Sequence, residues 1–206
     1  MLRILGRLSS INVQKVVWCC DEIGLRYERI DLGGKFGGND TPEYLAKNPT
    51  GLVPTIEEDG FVLPESNAIV RYLAARDSAG TLWPDDLRER AQADRWMEWQ
   101  ATTFTPAQRD AFWQLVRTAP EKRDMAVAEA SIAKTEKCMA TLDAQLASRP
   151  FLTGERFTPA DIVVGCGVHR WLHMPVPRAP RPHVERYYER LKSRPGARQV
   201  TSQPVT

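Results

Sequence analysis

The amino-acid sequence predicts an α/β unit with a mixed four-stranded sheet, followed by an all-α helical bundle. Three observations carry that prediction. Short apolar runs alternate with helical patterns up to residue 77; a cluster rich in Gly, Pro, Asp and Ser, "DSAGTLWPDD", follows at 77–86; beyond it the apolar patterns keep the helical period. The expected organisation is a domain at 1–77, a linker at 78–86 and an all-helical domain at 87–206. With 206 residues, 42% of them hydrophobic, the chain is long enough to bury a sizeable core.

Residues 2–5 read as a strand and about 12–23 as a helix, with Val13, Val16, Val17 and Cys20 at i, i+3, i+4 and i+7 on one core face. A second strand is expected at 27–32, parallel to the first through a right-handed crossover. Val53–Ile56 and Phe61–Leu63 form a hairpin signal around Glu58-Asp59-Gly60, and Ala68, Ile69, Tyr72 and Leu73 then mark a helix opening at Ser66. In the second part, a helical segment carries Trp96, Met97, Trp99, Phe104, Phe112 and Trp113, with a break or bend expected near Pro106. A long helix follows from Met125, Ala128, Ile132, Thr135, Met139, Leu142 and Leu146. "RFTPADIVVGC" opens the next: Thr158 is the N-cap, Pro159 the first helical residue, Asp161 the capping-box partner, and Phe157 and Ile162 sit as a staple. A last helix lies in "PRPHVERYYERLKSRPGARQV".

The stretch "GLVPTIEEDGFVLPESNAIVRYLA" is the most informative about function. Pro54 cannot donate to a sheet ladder and belongs at a strand entrance, bulge or edge. A trans proline starting a strand is the common arrangement; a cis bond, about 5–6% of X-Pro bonds, would leave the Val53 N–H and C=O free to pair outside the sheet. Downstream, the helix start directs unpaired N–H groups and about half a positive charge at its surroundings. Ser66 then reads either as a plain N-cap or as a donor to a carboxylate, with Glu65 as the opposite charge for an ammonium. Val53, Glu65 and Ser66 together fit an extended peptide with an amino-acid-like end.

Other features bound the function. The net charge of +2, with basic and acidic residues interspersed, gives no argument for nucleic acid. No run of 18 apolar residues marks a membrane span, and the amino-terminal residues lack an export signal, so a cytoplasmic address is expected. Cys19, Cys20, Cys138 and Cys166 show no CxxC or zinc spacing and read as reduced, mostly buried thiols. His169 and His173 share an i, i+4 spacing with no third ligand evident, so no metal is expected.

The V-P, hairpin, E-S-x-A-I-x-x-Y-L arrangement, the β-α-β entry before it and "RFTPADIVVGC" near the end resemble the glutathione transferase family, across nearly the whole chain. The resemblance, to a bacterial, serine-type, theta- or beta-like member, implies a thioredoxin-like amino-terminal domain that binds glutathione as co-substrate. It also implies a helical domain that supplies the pocket for a small apolar electrophile, and a homodimer. It implies a cis Pro54, the cysteinyl backbone of glutathione on Val53, and its γ-glutamyl group on Glu65 and Ser66. With no tyrosine in the first strand or loop, Ser10, five residues before Lys15, becomes the hydroxyl that donates to the thiolate; Ser9 and Asn12 are lesser candidates. Where many members carry basic residues for the glycine carboxylate, this chain has Leu52 and Asn39, with Lys35 and Lys47 as substitutes and Arg7 of undecided role. Glutathione-dependent isomerisation or dehalogenation would use the same first site, and a non-catalytic glutathione-binding or regulatory protein would keep the domains without thiol activation.

Overall fold

A computed structural model of the chain describes residues 1–206, which form two compact units, Met1–Asp85 with Arg194–Gln203, and Asp86–Ser193 with Pro204–Thr206. The first contains β1 (Leu2–Leu5), α1 (Ile11–Glu22), β2 (Tyr27–Ile30), α2 (Pro42–Leu45), β3 (Thr55–Glu58), β4 (Phe61–Pro64) and α3 (Ser66–Asp77). Its four strands are ordered β2-β1-β3-β4, with β1 parallel to β2 and antiparallel to β3, and β4 antiparallel to β3. This is the expected thioredoxin-like mixed sheet. Asp59 (φ 49°) and Gly60 (φ 87°) make the tight turn between β3 and β4; positive φ at both central residues matches the twist of a two-residue hairpin. The Val53–Pro54 bond is cis.

Helix α1 is buried on more than the single face its periodicity predicts: Val13, Val16, Val17, Trp18, Cys19 and Cys20 are all fully buried. One side packs on the sheet layer and α3, and the other is covered by Pro195–Ala197 and α9 (Arg198–Thr201). A Cβ on Gly196 would stand 2.7 Å from the Glu22 backbone, so only glycine permits that approach, and Arg194 Nε donates to Glu22 Oε1 at 2.9 Å. Residues 194–203 therefore belong with the first unit, whereas helical periodicity assigns them to the helical domain. The stretch expected as a linker, 78–86, is also largely folded into the first unit, closed by an Ala79–Trp83 bridge.

The second unit holds α4 (Leu87–Trp99), α5 (Thr105–Phe112), α6 (Met125–Gln145), α7 (Pro159–His173) and α8 (Pro182–Lys192). Pro106 does not break its helix. A π-helical turn at Gln100–Phe104 precedes α5, with backbone angles staying helical at Gln100 and Thr105, so the missing proline N–H is absorbed by the wider turn. The core stripe of α6 differs from the expected one as well: Met125 is exposed and Ile132 half-buried, while Ser131 is buried. The Ser131 hydroxyl enters the helical ladder of α5, accepting from Ala111 N at 3.0 Å and donating to Ala107 O. A second π-helical turn, Trp113–Arg117, follows α5. Helix α7 is buried nearly throughout, and its absent Cβ at Gly167 lets Phe104 approach, since a Cβ there would lie 2.7 Å from Phe104 Cε1. No helix is long and apolar enough to cross a membrane.

Candidate functional site

The register of the sheet gathers the predicted residues on one rim. Leu5 at the end of β1 pairs with Ile30 at the end of β2 and with Thr55 at the start of β3, and Thr55 pairs with Pro64 at the end of β4. The segments continuing from these positions, 6–10, 31–39, 53–54 and 65–66, consequently leave the sheet at the same end. Gly6 lets two of them meet: a Cβ there would stand 2.5 Å from Val13 Cγ2 and 3.2 Å from Val53 Cβ.

Val53 lies just outside the ladder, and neither its N–H nor its C=O takes part in a sheet or turn hydrogen bond. Its neighbour differs. The Leu52 carbonyl accepts from Tyr44 Oη and from Asn48 Nδ2 at 2.8 Å, while the Leu52 side chain is 64% exposed. Asn39 Nδ2 donates to Gly51 O at 2.8 Å, tying the loop before α2 to the loop before β3.

The start of α3 corrects one expectation. Ser66 is the first helical residue rather than the cap; Glu65 holds the cap position, its carbonyl accepting the first helical bond from Ile69 N at 2.9 Å. With Pro64 still paired in β4, the chain must reverse within one residue, and Glu65 does so at φ 71°, ψ 106°, a region costly for a side-chain-bearing residue. Glu65 is exposed and caps nothing with its carboxylate. The buried Ser66 hydroxyl instead accepts from Lys15 Nζ at 3.5 Å, and the same ammonium donates to Asn67 Oδ1 at 3.2 Å. Lys15 is only 2% exposed. A lysine between Val13 and Val16 on an apolar helix is the local signal for this buried charge; its spacing from Ser10 alone does not reveal it.

Ser10 is the N-cap residue of α1, half-buried, and its side chain makes no capping hydrogen bond. Ser9 and Asn12 flank it, also half-buried. Arg7 lies across Gly33 and Gly34, where an added Cβ would meet its guanidinium at 3.1 and 2.7 Å, and Val53 Cγ1 and Asn39 Oδ1 border the same point on Gly33. The two glycines, at φ 80° and 60°, thus form a floor under a cation beside Val53. The lysines considered as substitutes are engaged elsewhere, Lys47 with Glu57 and Lys35 over the Phe36 ring.

Other reactive groups are kept out of play. Burial raises the Cys19 thiol and pushes Cys20 up to about 12, so neither ionises at neutral pH. Tyr27 Oη donates to Asp21 Oδ1 at 3.0 Å, and burial together with that carboxylate holds the phenol well above its ordinary pKa. His169 Nδ1 is paired with Tyr188 Oη at 2.6 Å, and the His169 and His173 rings lie 4.4 Å apart.

Comparisons with known proteins match both units. The family model for the glutathione S-transferase N-terminal domain matches residues 5–81, and that for the glutathione S-transferase C-terminal domain matches 125–190. The chain is 40% identical over its whole length to glutathione S-transferase GstB of Escherichia coli, covering all of that protein. It superposes with a TM-score of 0.96 and 44% identity on a theta class glutathione S-transferase from Xanthomonas axonopodis pv. citri with glutathione bound, covering 100% of this chain and 99% of that one. It is also 33% identical to elongation factor 1-gamma 1 of rice, over 79% of this chain and 39% of that protein.

Proposed function

The chain belongs to the glutathione S-transferase family, and on that premise we propose that the rim of the sheet holds glutathione extended along Val53 with its sulfur at Ser10. The observation carrying this reading is the unengaged Val53 backbone set between two helix starts without side-chain caps, those of α1 and α3. The cysteinyl amide and carbonyl pair with Val53, as a short antiparallel strand would. The γ-glutamyl carboxylate meets Ser66 and the N–H groups of α3, and its ammonium meets Glu65. Lys15 fills an acceptor position on Ser66, so the hydroxyl proton is turned outward to donate. Arg7 supplies the positive charge for the glycine carboxylate, beside Leu52 and Asn39, whose backbone and amide hold the loop.

A free thiol has a pKa near 8.5, and lowering it by two units takes about 2.7 kcal/mol of preference for the anion. One hydroxyl donor and the α1 N-terminus supply an effect of that size. The thiolate then attacks a small apolar electrophile bound by the helical domain; the carbon–sulfur bond forms as the leaving group departs with its electron pair, and Ser10 keeps its proton throughout. The protein acts as a cytoplasmic homodimer in this reading.

The test is the ultraviolet absorbance of the glutathione thiolate, titrated with pH on wild type and Ser10→Ala. Wild type should show a midpoint about two units below that of free glutathione, moved back by the substitution. An unchanged midpoint in the variant removes Ser10 from the role. A thiolate signal in neither protein favours a second reading, a non-catalytic binder, which the likeness to elongation factor 1-gamma 1 keeps in view.

A further inference from the structure

The helical unit carries a guanidinium that the reaction above does not use. Arg170, near the end of α7, has its Cζ 4.3 Å from the centroid of the Phe112 ring on α5. Arg117, in the π-helical turn after α5, stands 5.2 Å from the same ring and 6.0 Å from that of Trp113. No acceptor or carboxylate of the chain pairs with the Arg170 guanidinium, and Arg117 is held through a hydrogen bond to the Thr206 carbonyl. A bond between α5 and α7 lies close by: Gln108 Nε2 donates to Gly167 O at 3.1 Å, one turn before Phe112 and Arg170 on their helices.

Two cations share one aromatic ring with no carboxylate side chain between them, and the Arg170 guanidinium has no oxygen partner at all. The Phe112 face offers Arg170 a modest attraction, yet leaves five N–H donors without an oxygen from the protein. Burial and the neighbouring Arg117 charge lower the Arg170 pKa to about 10, so the cation is itself disfavoured there and gains from an anion. Beside it, Trp113 is 54% exposed and offers a flat apolar surface.

We propose that Arg170 and Arg117 bind the carboxylate of a small aromatic acid whose ring lies on Trp113. Planar guanidinium recognises carboxylate through paired N–H donors, which a neutral amide cannot reproduce.

The probes are a chloronitrobenzoate with chlorine ortho to the nitro group and the matching benzamide. Each is titrated against tryptophan fluorescence. The acid should bind wild type more tightly than the amide. Arg170→Met should raise its half-saturation about tenfold while the amide is unaffected, and Arg170→Lys should recover most of the loss. Arg117→Met, at an exposed position, should weaken the acid about threefold, and it decides the matter should the Arg170→Met protein fail to fold. Equal binding of acid and amide by wild type, or an acid response unmoved in the variants that fold, overturns the proposal.

Discussion

The helices α3 and α7 begin in opposite ways. At α7 the start is tied into the protein by an acid: the buried Asp161 carboxylate accepts from Leu152 N at 3.0 Å, Thr158 N at 2.9 Å, Thr158 Oγ1 at 3.1 Å and Tyr187 Oη at 3.1 Å. At α3 the cap residue is strained, its carboxylate is in solvent, and a buried lysine adds positive charge where an acid would ordinarily stand. A sealed start holds a fold together, and an open one keeps its electrostatic capacity for something that arrives later. Other starts follow the same division: α4 and α6 are capped by Asp86 and Asp124, and α8 by Asp143 reaching from α6, whereas α1 at Ser10 is open.

The contrast is broken most severely at Asp161. Asp161→Ala orphans four buried donors and should lower unfolding stability by about 3 kcal/mol or more, read from urea denaturation by circular dichroism. Burial holds the Asp161 carboxyl at about 6, against the hydrogen bonds that lower it. Because this folded value lies above that of the unfolded chain, near 3.9, the unfolded state loses its proton first as pH rises. Stability should therefore fall between about pH 4 and 6, by roughly 3 kcal/mol in total. Asp161→Asn should flatten that slope when urea midpoints are compared across the window.

Ser10→Ala probes the open class. It should cut conjugation at neutral pH roughly tenfold, equivalent to about 1.4 kcal/mol, because the α1 N-terminus keeps its share, while lowering unfolding stability by less than about 0.5 kcal/mol, since no cap bond is lost. A fall in stability comparable to a cap deletion would place Ser10 with the sealed starts instead. The smallest effect is expected at Glu65→Gly. Glycine accepts φ 71° without strain, so the fold should gain about 1 kcal/mol while the KM for glutathione rises as the partner of its ammonium disappears. Loss of both stability and affinity would mean that Glu65 serves the fold.

Much of this contrast is legible in the amino-acid order. The Thr158–Pro159–Asp161 spacing announces a sealed start, and the hairpin and apolar periods announce the strands and helices around it. The family resemblance, through V-P and E-S, carries the cis bond and the rim. Long-range geometry stays hidden. Nothing local says that Glu65 will take a left-handed conformation and advance the helix start to Ser66, since that follows from Pro64 remaining paired with Thr55. The surroundings of Lys15 on α1 hint that its charge is buried, but its partners Ser66 and Asn67 appear only once α3 is packed beside it. Ser131 breaks the α6 stripe because it serves the ladder of another helix. The placement of 194–203 depends on Arg194 finding Glu22, a pairing 172 residues apart to which periodicity is blind.

That last pairing sets an order of events during synthesis. The flank of α1 bearing Trp18 and Glu22 stays bare until residues 194–203 have left the ribosome, so the first-made unit is completed only after the helical unit has been synthesised. A nascent chain halted before Arg194 would expose that flank as a sticky surface for chaperones.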